Sequence, residues 1–473
     1  MYGSLSKFRF SIDKTESCEM PLSKSASPVS DSSKYQETWP WLLTVTPIVA
    51  LLLMTLSIYY SLRFEKLGSS NDLWFGTDIA RHVWWSSYPE NWNRAHLHPV
   101  SFILYKSYGL ILGQLGLLPD SNQLVIFAFP TILLTSLALT TAAQWLTPPH
   151  PSRMLMRITI LSLFLLIGPL MIFAPMPESH VGGGIALLLQ AALTLKFLRA
   201  EAEGQRVYER IMIFLFAALA CGFSLSNCLP ATILLLPLLP RQSQLGWWIA
   251  SGVVAVVLVL CVHHFLYPLD IVAWMERQLV QELAWVSFPD LDALRESFQN
   301  LVLLQFGMPF TEFVTWRHPD TGWTITSIAH RDATFLQGVT FLLWCTGIAI
   351  WVGKSRGRAV VEKRFLLLCA GSFLALVAFH TVYSPYDAYM FSVHLWPFLL
   401  LPGVLIWVDS LHTRYSGVVA CMTTAIALSV VQMILGFVIL VNLSGTTDAQ
   451  VGEVGEVGEV RAVFIDDNAS SLH

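Results

Sequence analysis

The sequence predicts an all-α, polytopic integral membrane protein, and three observations lead to this fold class. First, 54% of the 473 residues are hydrophobic and only 13% are charged, with a mean hydropathy of +0.58. Second, apolar runs of about 20 residues, long enough to cross a hydrocarbon core of about 30 Å, recur along most of the chain. Third, 17 tryptophans and 28 phenylalanines suit two aromatic belts at the membrane interfaces. The net charge of −4 gives no reason to expect a nucleic-acid partner.

The chain divides into two polar ends and a long apolar centre. Residues 1–38 are rich in Ser and Lys and lack an apolar run with a cleavage site, so we expect a disordered cytoplasmic tail. Residues 442–473 contain Val-Gly-Glu three times and predict an acidic, low-complexity tail. The centre, residues 39–441, is the predicted transmembrane catalytic domain.

About eleven crossings are predicted within this centre. Residues 211–240 are counted twice, as two short helices around Asn227 and Pro230. The predicted spans are 39–62, 122–146, 158–176, 180–198, 211–240, 246–267, 333–353, 365–383, 391–409 and 415–441.

The segment 98–118 is apolar but contains a lysine and four glycines. A stripe of mostly small residues recurs along one helical face, at Ser101, Tyr105, Gly109, Gly113 and Gly116. We therefore expect a juxtamembrane helix in the outer interface rather than a crossing.

The positive-inside rule supports this topology. If 98–118 does not span and 211–240 crosses twice, most of the 28 lysine and arginine residues lie on the cytoplasmic side. The outer loops are then 63–121 and 268–332, and we expect the larger one to form a lid or an acceptor platform. Glu178 lies on the same outer side as the loop 63–121.

The first outer loop concentrates groups that handle protons and phosphates. It carries Asp78, Arg81, His82, His96 and His98 between the first predicted span, 39–62, and the following apolar segment. Carboxylates and imidazoles serve as acids and bases, and guanidinium groups bind phosphate through charge-assisted hydrogen bonds. The sequence predicts an active-site loop here.

This arrangement resembles the polytopic GT-C glycosyltransferases, which include the protein O-mannosyltransferases and the bacterial lipid A aminoarabinose transferases. The resemblance is carried by Asp78-x-x-Arg81 in an early outer loop, by His98-Pro99 before a juxtamembrane helix, and by a second acid, Glu178, outside a later span. A late tyrosine-rich loop entering a proline-containing helix, Tyr386 to Pro397, matches as well. Many members have Asp-Glu where this chain has Asp78-Ile79, which leaves the subfamily open.

The resemblance implies transfer of a sugar from a polyprenyl-phosphate-linked donor to a lipid, glycan or protein acceptor. Asp78 is expected to be the base and Glu178 to orient the acceptor, while Arg81 and His98 hold the phosphate. A single aspartate base acting in one displacement predicts inversion at the sugar carbon. The further expected substrate-binding residues are His82, Lys106, Tyr386, Tyr389 and His394.

The expected partners are the lipid-linked donor, the acceptor and membrane lipids. No metal site is predicted, because His82, His96 and His98 match no known ligand spacing. A divalent cation shared by Asp78 and Glu178 is the one cofactor that remains an alternative. We expect a multi-pass protein of a bacterial inner membrane, with its active site facing the periplasm or the cell exterior.

Each of these interpretations has a simpler alternative. Asp78 could cap a helix that begins at Ile79, and Glu178 could be an acid favoured by the dipole of the following helix. Lys106 could extend along the interface without touching phosphate. The alternative function is a transporter or flippase of a lipid-linked saccharide, since such proteins also contain broken helices and intramembrane ionisable residues.

Overall fold

The computed structural model describes most of the apolar centre of the chain. The described residues are 38–63, 79–87, 98–117, 124–147, 153–200, 207–238, 286, 290–317, 324–355, 359–383 and 388–450. The predicted span 246–267 lies outside them, as do residues 1–37 and 451–473 of the two predicted tails.

The described chain is all-α apart from one two-stranded hairpin. The first nine helices are α1 (Thr38–Arg63), α2 (Ile79–Ser87), α3 (Pro99–Gln114), α4 (Leu124–Leu146), α5 (Arg153–Phe164), α6 (Gly168–Phe173), α7 (Ser179–Ala200), α8 (Val207–Phe223) and α9 (Cys228–Leu235). The later helices are α10 (Leu291–Leu301), α11 (Phe335–Lys354), α12 (Val360–Val382), α13 (Ala388–Thr413) and α14 (Ser416–Gln450). Short 3-10 turns cover Leu225–Asn227, Leu236–Leu238 and Leu303–Gln305.

Seven of the described helices are long and apolar enough to cross a membrane, namely α1, α4, α7, α11, α12, α13 and α14. Each coincides with a span predicted from the sequence, within a few residues at either end. The protein is therefore a polytopic integral membrane protein, and the finer count of eleven crossings stays a prediction. The helix α14 extends to Gln450, so the first residues of the predicted C-terminal tail continue the last helix.

Two predicted spans are broken helices. Residues 211–240 form α8 and α9 around the 3-10 turn Leu225–Asn227, as predicted. Residues 158–176 were predicted as one helix, and this is wrong: α5 ends at Phe164 and α6 begins at Gly168. Between them Ile167 forms an isolated β-bridge with Phe306. The backbone at Gly168 also approaches the Gly307 carbonyl so closely that a Cβ would overlap it, and this approach requires glycine.

The helices run in both directions along the bundle, which gives the bundle two ends. At the far end, the Trp41 indole near the start of α1 donates to the Thr140 carbonyl near the end of α4, at 3.0 Å. The Trp351 indole near the end of α11 donates to the Asp409 carboxylate of α13 at 2.7 Å. The helices α3, α7, α9 and α13 begin at the opposite end, where α8 and α12 finish. We call this opposite end the site end.

The loop predicted at 268–332 is partly built into the bundle. Asp290 caps α10 by accepting a hydrogen bond from the Ala293 amide at 2.7 Å. The chain then turns through Gly307, whose φ of +82° favours glycine. Residues 304–309 are buried, and the Gln305 amide donates to the Ser392 carbonyl of α13 at 2.7 Å. Residues 304–309 are therefore part of the core, and the expectation of a lid or an acceptor platform for the loop as a whole stays a prediction.

The strands β1 (Thr311–Arg317) and β2 (Thr324–His330) follow this buried segment as an antiparallel hairpin. Thr334 and Gln337 then form a capping box at the start of α11. The hairpin thus ends where a well-capped transmembrane helix begins.

The helices α2 and α3 form a hairpin of their own at the site end. Pro99 occupies the first turn of α3, where its missing N–H costs nothing. A Cβ at Gly109 would overlap the Ser86 carbonyl, and the Ser86 hydroxyl donates to the Tyr105 carbonyl at 3.1 Å. The predicted small-residue stripe is confirmed at Ser101, Tyr105 and Gly109, which are buried, whereas its last two glycines are exposed. The helix itself is confirmed, and its place in the interface stays a prediction.

Candidate functional site

Buried polar side chains from distant parts of the sequence meet at the site end. Five of them are histidines, which we call the histidine cluster: His82, His98, His180, His380 and His394. All five are buried. Ionisable groups are rare among apolar helices and usually mark a functional site there.

Three consecutive glycines at the start of α7 allow the surrounding helices to approach. A Cβ at Gly182 would overlap the Phe223 ring of α8, and one at Gly184 would overlap the Val393 carbonyl of α13. At Gly183 a Cβ would lie 3.1 Å from His394 Nε2 and would overlap the Asn227 amide. The site is therefore formed around a stretch of α7 without side chains.

His98 immediately precedes α3 and reaches the end of α8. Its Nδ1 lies 2.7 Å from the Phe223 carbonyl oxygen. A carbonyl oxygen only accepts hydrogen bonds, so Nδ1 of His98 carries the proton. The second ring nitrogen, Nε2, is the one that can face a substrate. The ring also lies edge-on to His180, with 5.1 Å between centroids. Nε2 of a neutral His98 accepts a hydrogen bond, and only the imidazolium form can donate from it to a phosphate oxygen.

Glu178 is buried directly before α7. Its Oε1 accepts hydrogen bonds from the His180 amide at 3.0 Å and from the Ser179 hydroxyl at 3.3 Å. These contacts satisfy an otherwise unpaired amide of the first helical turn, so the carboxylate does cap α7. The simpler alternative for Glu178, an acid favoured by the helix dipole, is compatible with a role in the site, because the charge of the same carboxylate also acts on Tyr105.

Tyr105 connects Glu178 with the α2–α3 hairpin. Burial raises the pKa of the Tyr105 phenol; a hydrogen bond with Thr131 lowers it, and the neighbouring Glu178 carboxylate raises it. The ring of His82 packs against Tyr105 at 4.8 Å between centroids. The buried Arg81 precedes His82 on the same helix. Arg81 and His82 therefore lie on α2, which packs against α3, the helix that contains Tyr105.

His180 and His394 form the centre of the cluster. Their Nδ1 and Nε2 atoms are 3.3 Å apart. On the other side of His394, Nδ1 lies 3.4 Å from the Ser226 hydroxyl, which is 2.9 Å from the Ser224 hydroxyl. These four side chains form a continuous row of groups that can both donate and accept hydrogen bonds.

His380, near the end of α12, stacks on the Phe391 ring at 4.2 Å between centroids. Its centroid is 6.3 Å from that of His394. Within the described part of the chain, neither of its ring nitrogens has a hydrogen-bond partner, although the side chain is fully buried. An unsatisfied buried polar group costs about 1–3 kcal/mol, so His380 is a costly residue to keep in this position.

The remaining predicted site residues are placed as follows. Asp78 and Tyr386 lie outside the described residues, and so does His96. Tyr389 is buried and packs against Phe173 and His330, at 5.6 and 4.7 Å between centroids. Lys106 is half-buried, with its ammonium 5.5 Å from the Phe102 ring centroid.

A metal site was not predicted from the sequence. Among the residues that the structure describes, no group of three or more His, Cys, Asp or Glu side chains is arranged to hold a metal ion. The alternative of a cation between Asp78 and Glu178 involves a residue outside the described ranges and stays untested.

Sequence reasoning placed His394 in the site and noted His380 as an ionisable residue within a span, but it omitted His180, Ser226 and Asn227. Asn227 was noticed only as a helix breaker, and His180 only as a neighbour of Glu178. The available signal was Glu178-Ser179-His180-Val181 followed by three glycines. A carboxylate and an imidazole are unusual at the start of an apolar helix.

Comparisons with known proteins do not assign this chain to a family. The chain matches no protein-family model, no curated protein and no solved structure. The resemblance to GT-C glycosyltransferases therefore stays a prediction from the residues quoted above.

Proposed function

We propose that this protein is a membrane glycosyltransferase that moves a sugar from a polyprenyl-phosphate-linked donor to a lipid, glycan or protein acceptor. One observation carries the proposal. Three residues predicted for phosphate binding or for orienting the acceptor, namely His82, His98 and Glu178, lie at the end of the bundle where His180 and His394 meet. The buried Arg81 adjoins His82 on α2.

The chemistry of these groups fits the substrate class. A departing lipid phosphate needs cationic or N–H donors, which Arg81 and protonated His98 supply. The acceptor hydroxyl needs a base, for which Asp78 is the residue expected from the sequence, and a carboxylate to orient it, for which Glu178 is suited. The apolar helices around the site offer a path for an isoprenoid chain.

The cellular setting is part of the same proposal. The lysine and arginine distribution favours a site end that faces away from the cytoplasm. In a bacterium this end faces the periplasm or the exterior from the inner membrane. Impermeant thiol labelling of a cysteine introduced at the exposed position 331, in the short link between β2 and the start of α11, tests this. Labelling only from the cytoplasmic side contradicts it.

Transfer is tested with purified protein in proteoliposomes that contain polyprenyl-phosphate-linked sugars and glycan or lipid acceptors. We expect Asp78→Asn to lower the rate by about 10²-fold or more, as loss of a general base does. Glu178→Gln should lower it at least about tenfold. Both substitutions keep the shape of the side chain.

The matched control is Glu362→Gln, which changes a half-exposed carboxylate near the far end, 3.4 Å from Arg199. This variant should transfer sugar at the rate of the parent protein. Equal rates for all four proteins would contradict the assignment of the site. A deletion strain that lacks one sugar on its surface glycans or lipids would identify the substrate.

A transporter or flippase of a lipid-linked saccharide is the second candidate, favoured by the breaks between α5 and α6 and between α8 and α9. The same proteoliposomes distinguish the two. Movement of a fluorescent lipid-linked saccharide between leaflets without sugar transfer would favour transport.

A further inference from the structure

The far end of the bundle, opposite the histidine cluster, carries a positively charged surface. Its basic residues come from the chain that joins α11 to α12 and from the chain that joins α13 to α14. Three of the described ones are exposed and one is half-buried. We call them the basic patch: Lys354, Lys363, Arg364 and Arg414. Two more arginines of the first link, at positions 356 and 358, lie outside the described residues.

Contacts between the two links hold the basic patch together. The Lys363 ammonium, near the start of α12, donates to the carbonyl of Ser355, the residue directly after α11. The Lys354 ammonium, at the end of α11, lies 5.7 Å from the ring centroid of Tyr415, the residue directly before α14. Arg414 adjoins Tyr415 in the same link. The four basic residues therefore come from chain segments that contact one another.

The acidic side chains of these segments have partners already. Glu362 Oε1 lies 3.4 Å from Arg199 Nε, and the Asp409 carboxylate accepts a hydrogen bond from the Trp351 indole at 2.7 Å. Residues 351–364 and 409–416 contain more basic than acidic side chains. Like charges held this close repel one another, so an anion bound here relieves the repulsion and stabilises the links.

An apolar groove adjoins the basic patch. Side chains of α11, α12 and α13 line it, among them Trp351, Phe365, Leu366, Pro402 and Leu405, and Glu362 lines it as well. Phe365 and Leu366 directly follow the two basic residues of α12, so the groove begins where the patch ends. Only 39% of the apolar stretch of α12 is buried inside the protein, and most of this helix therefore faces the bilayer.

We propose that the basic patch and the groove together bind an anionic phospholipid of the bilayer. Guanidinium and ammonium groups hold the phosphate oxygens through charge-assisted hydrogen bonds. One acyl chain lies along the groove in van der Waals contact with its apolar walls. The lysine and arginine distribution favours the cytoplasmic side for this end, where anionic lipids attract basic segments beside the membrane. The lipid-linked sugar is expected at the opposite end, so the occupant of this site is a bilayer lipid and not the donor.

The test measures the melting temperature of the purified protein in micelles of a neutral detergent, because a ligand that binds the folded state raises it by mass action. Phosphatidylglycerol should raise the melting temperature of the parent protein. Phosphatidylcholine with the same acyl chains carries no net charge and should leave it unchanged. The midpoint of the phosphatidylglycerol titration gives the apparent affinity.

The triple variant Lys354→Gln, Arg364→Gln, Arg414→Gln removes three of the four cations. Each cation near an anionic lipid strengthens binding about fivefold, so the midpoint should move to about a hundredfold more lipid. The matched control is Arg331→Gln, which removes an exposed arginine before α11, at the opposite end of that helix. This control should keep the midpoint of the parent protein.

Two further arms separate a lipid from a free phosphate group. Glycerol phosphate has the charged headgroup without the chains and should not raise the melting temperature at the same concentration. Leu366→Trp fills the groove and keeps all four cations, and its midpoint should move to more lipid. The proposal is overturned if phosphatidylglycerol has no effect on the parent, or if phosphatidylcholine or glycerol phosphate acts equally well. Parent midpoints in the triple variant or in Leu366→Trp would overturn it as well.

Discussion

Gly184→Ala should separate the two helices that carry the central histidine pair. A Cβ at this position would overlap the main-chain carbonyl oxygen of Val393 on α13, and a main-chain atom cannot rotate away. The two helices must move apart by about 1 Å to restore van der Waals contact. Because α7 carries His180 and α13 carries His394, their 3.3 Å contact would lengthen beyond hydrogen-bond distance.

The expected loss of stability follows from two opposing effects. Overpacking of a close contact costs about 1–3 kcal/mol, and alanine recovers about 1 kcal/mol of helix propensity relative to glycine. We expect the free energy of unfolding to fall by up to about 2 kcal/mol, measured by thermal or denaturant unfolding in detergent. The rate of sugar transfer should fall by more than the loss of folded protein accounts for, because the contact between His180 and His394 is lost as well.

The matched control is Gly338→Ala in α11, where a Cβ would meet no atom within 4 Å. It should be neutral or gain up to about 1 kcal/mol. If Gly184→Ala is as stable as Gly338→Ala, and its histidine NMR signals are those of the parent, the close packing of α7 on α13 is refuted.

Two further predictions concern histidines outside the hydrogen-bonded pair. His380→Phe should raise the free energy of unfolding by about 1 kcal/mol, because it removes two buried nitrogens without partners and keeps the ring stacked on Phe391; a clear loss of stability in chemical unfolding would argue against this. Burial lowers the pKa of His330, so its contribution to stability is complete above the ordinary value of about 6.5 and is lost as the pH falls from there towards the folded-state value. The melting temperature of the parent should therefore drop more between pH 7.5 and 5 than that of His330→Phe, and parallel pH dependences would contradict the prediction.

Hydropathy predicted the membrane helices well because crossing a bilayer depends on length and composition, which are local properties. The seven long helices follow the predicted spans, and the break near Asn227 was signalled by polar and proline residues within an apolar run. The break at Ile167 also had a local signal, the dipeptide Gly168-Pro169 within the apolar run, which the hydropathy of the run outweighed in the prediction. It depends on the contact of Gly168 with Gly307, which belongs to a distant loop.

Part of the candidate site could likewise be predicted. His98 and Glu178 were chosen from the resemblance to GT-C glycosyltransferases, and His394 also because ionisable groups within apolar spans tend to be functional. His180 was passed over although it adjoins Glu178, because its value lies in a partner on α13. No pattern within one segment reports which residue of another helix it will meet.

The sequence by itself determined that this chain is a helical protein that crosses a membrane several times. Those properties follow from the transfer free energy of each segment taken separately. The tertiary structure decided which imidazoles share a proton, because that depends on glycines in α7 that allow α8 and α13 to approach within hydrogen-bond distance. Such distances are set by packing between helices rather than by the composition of any one of them.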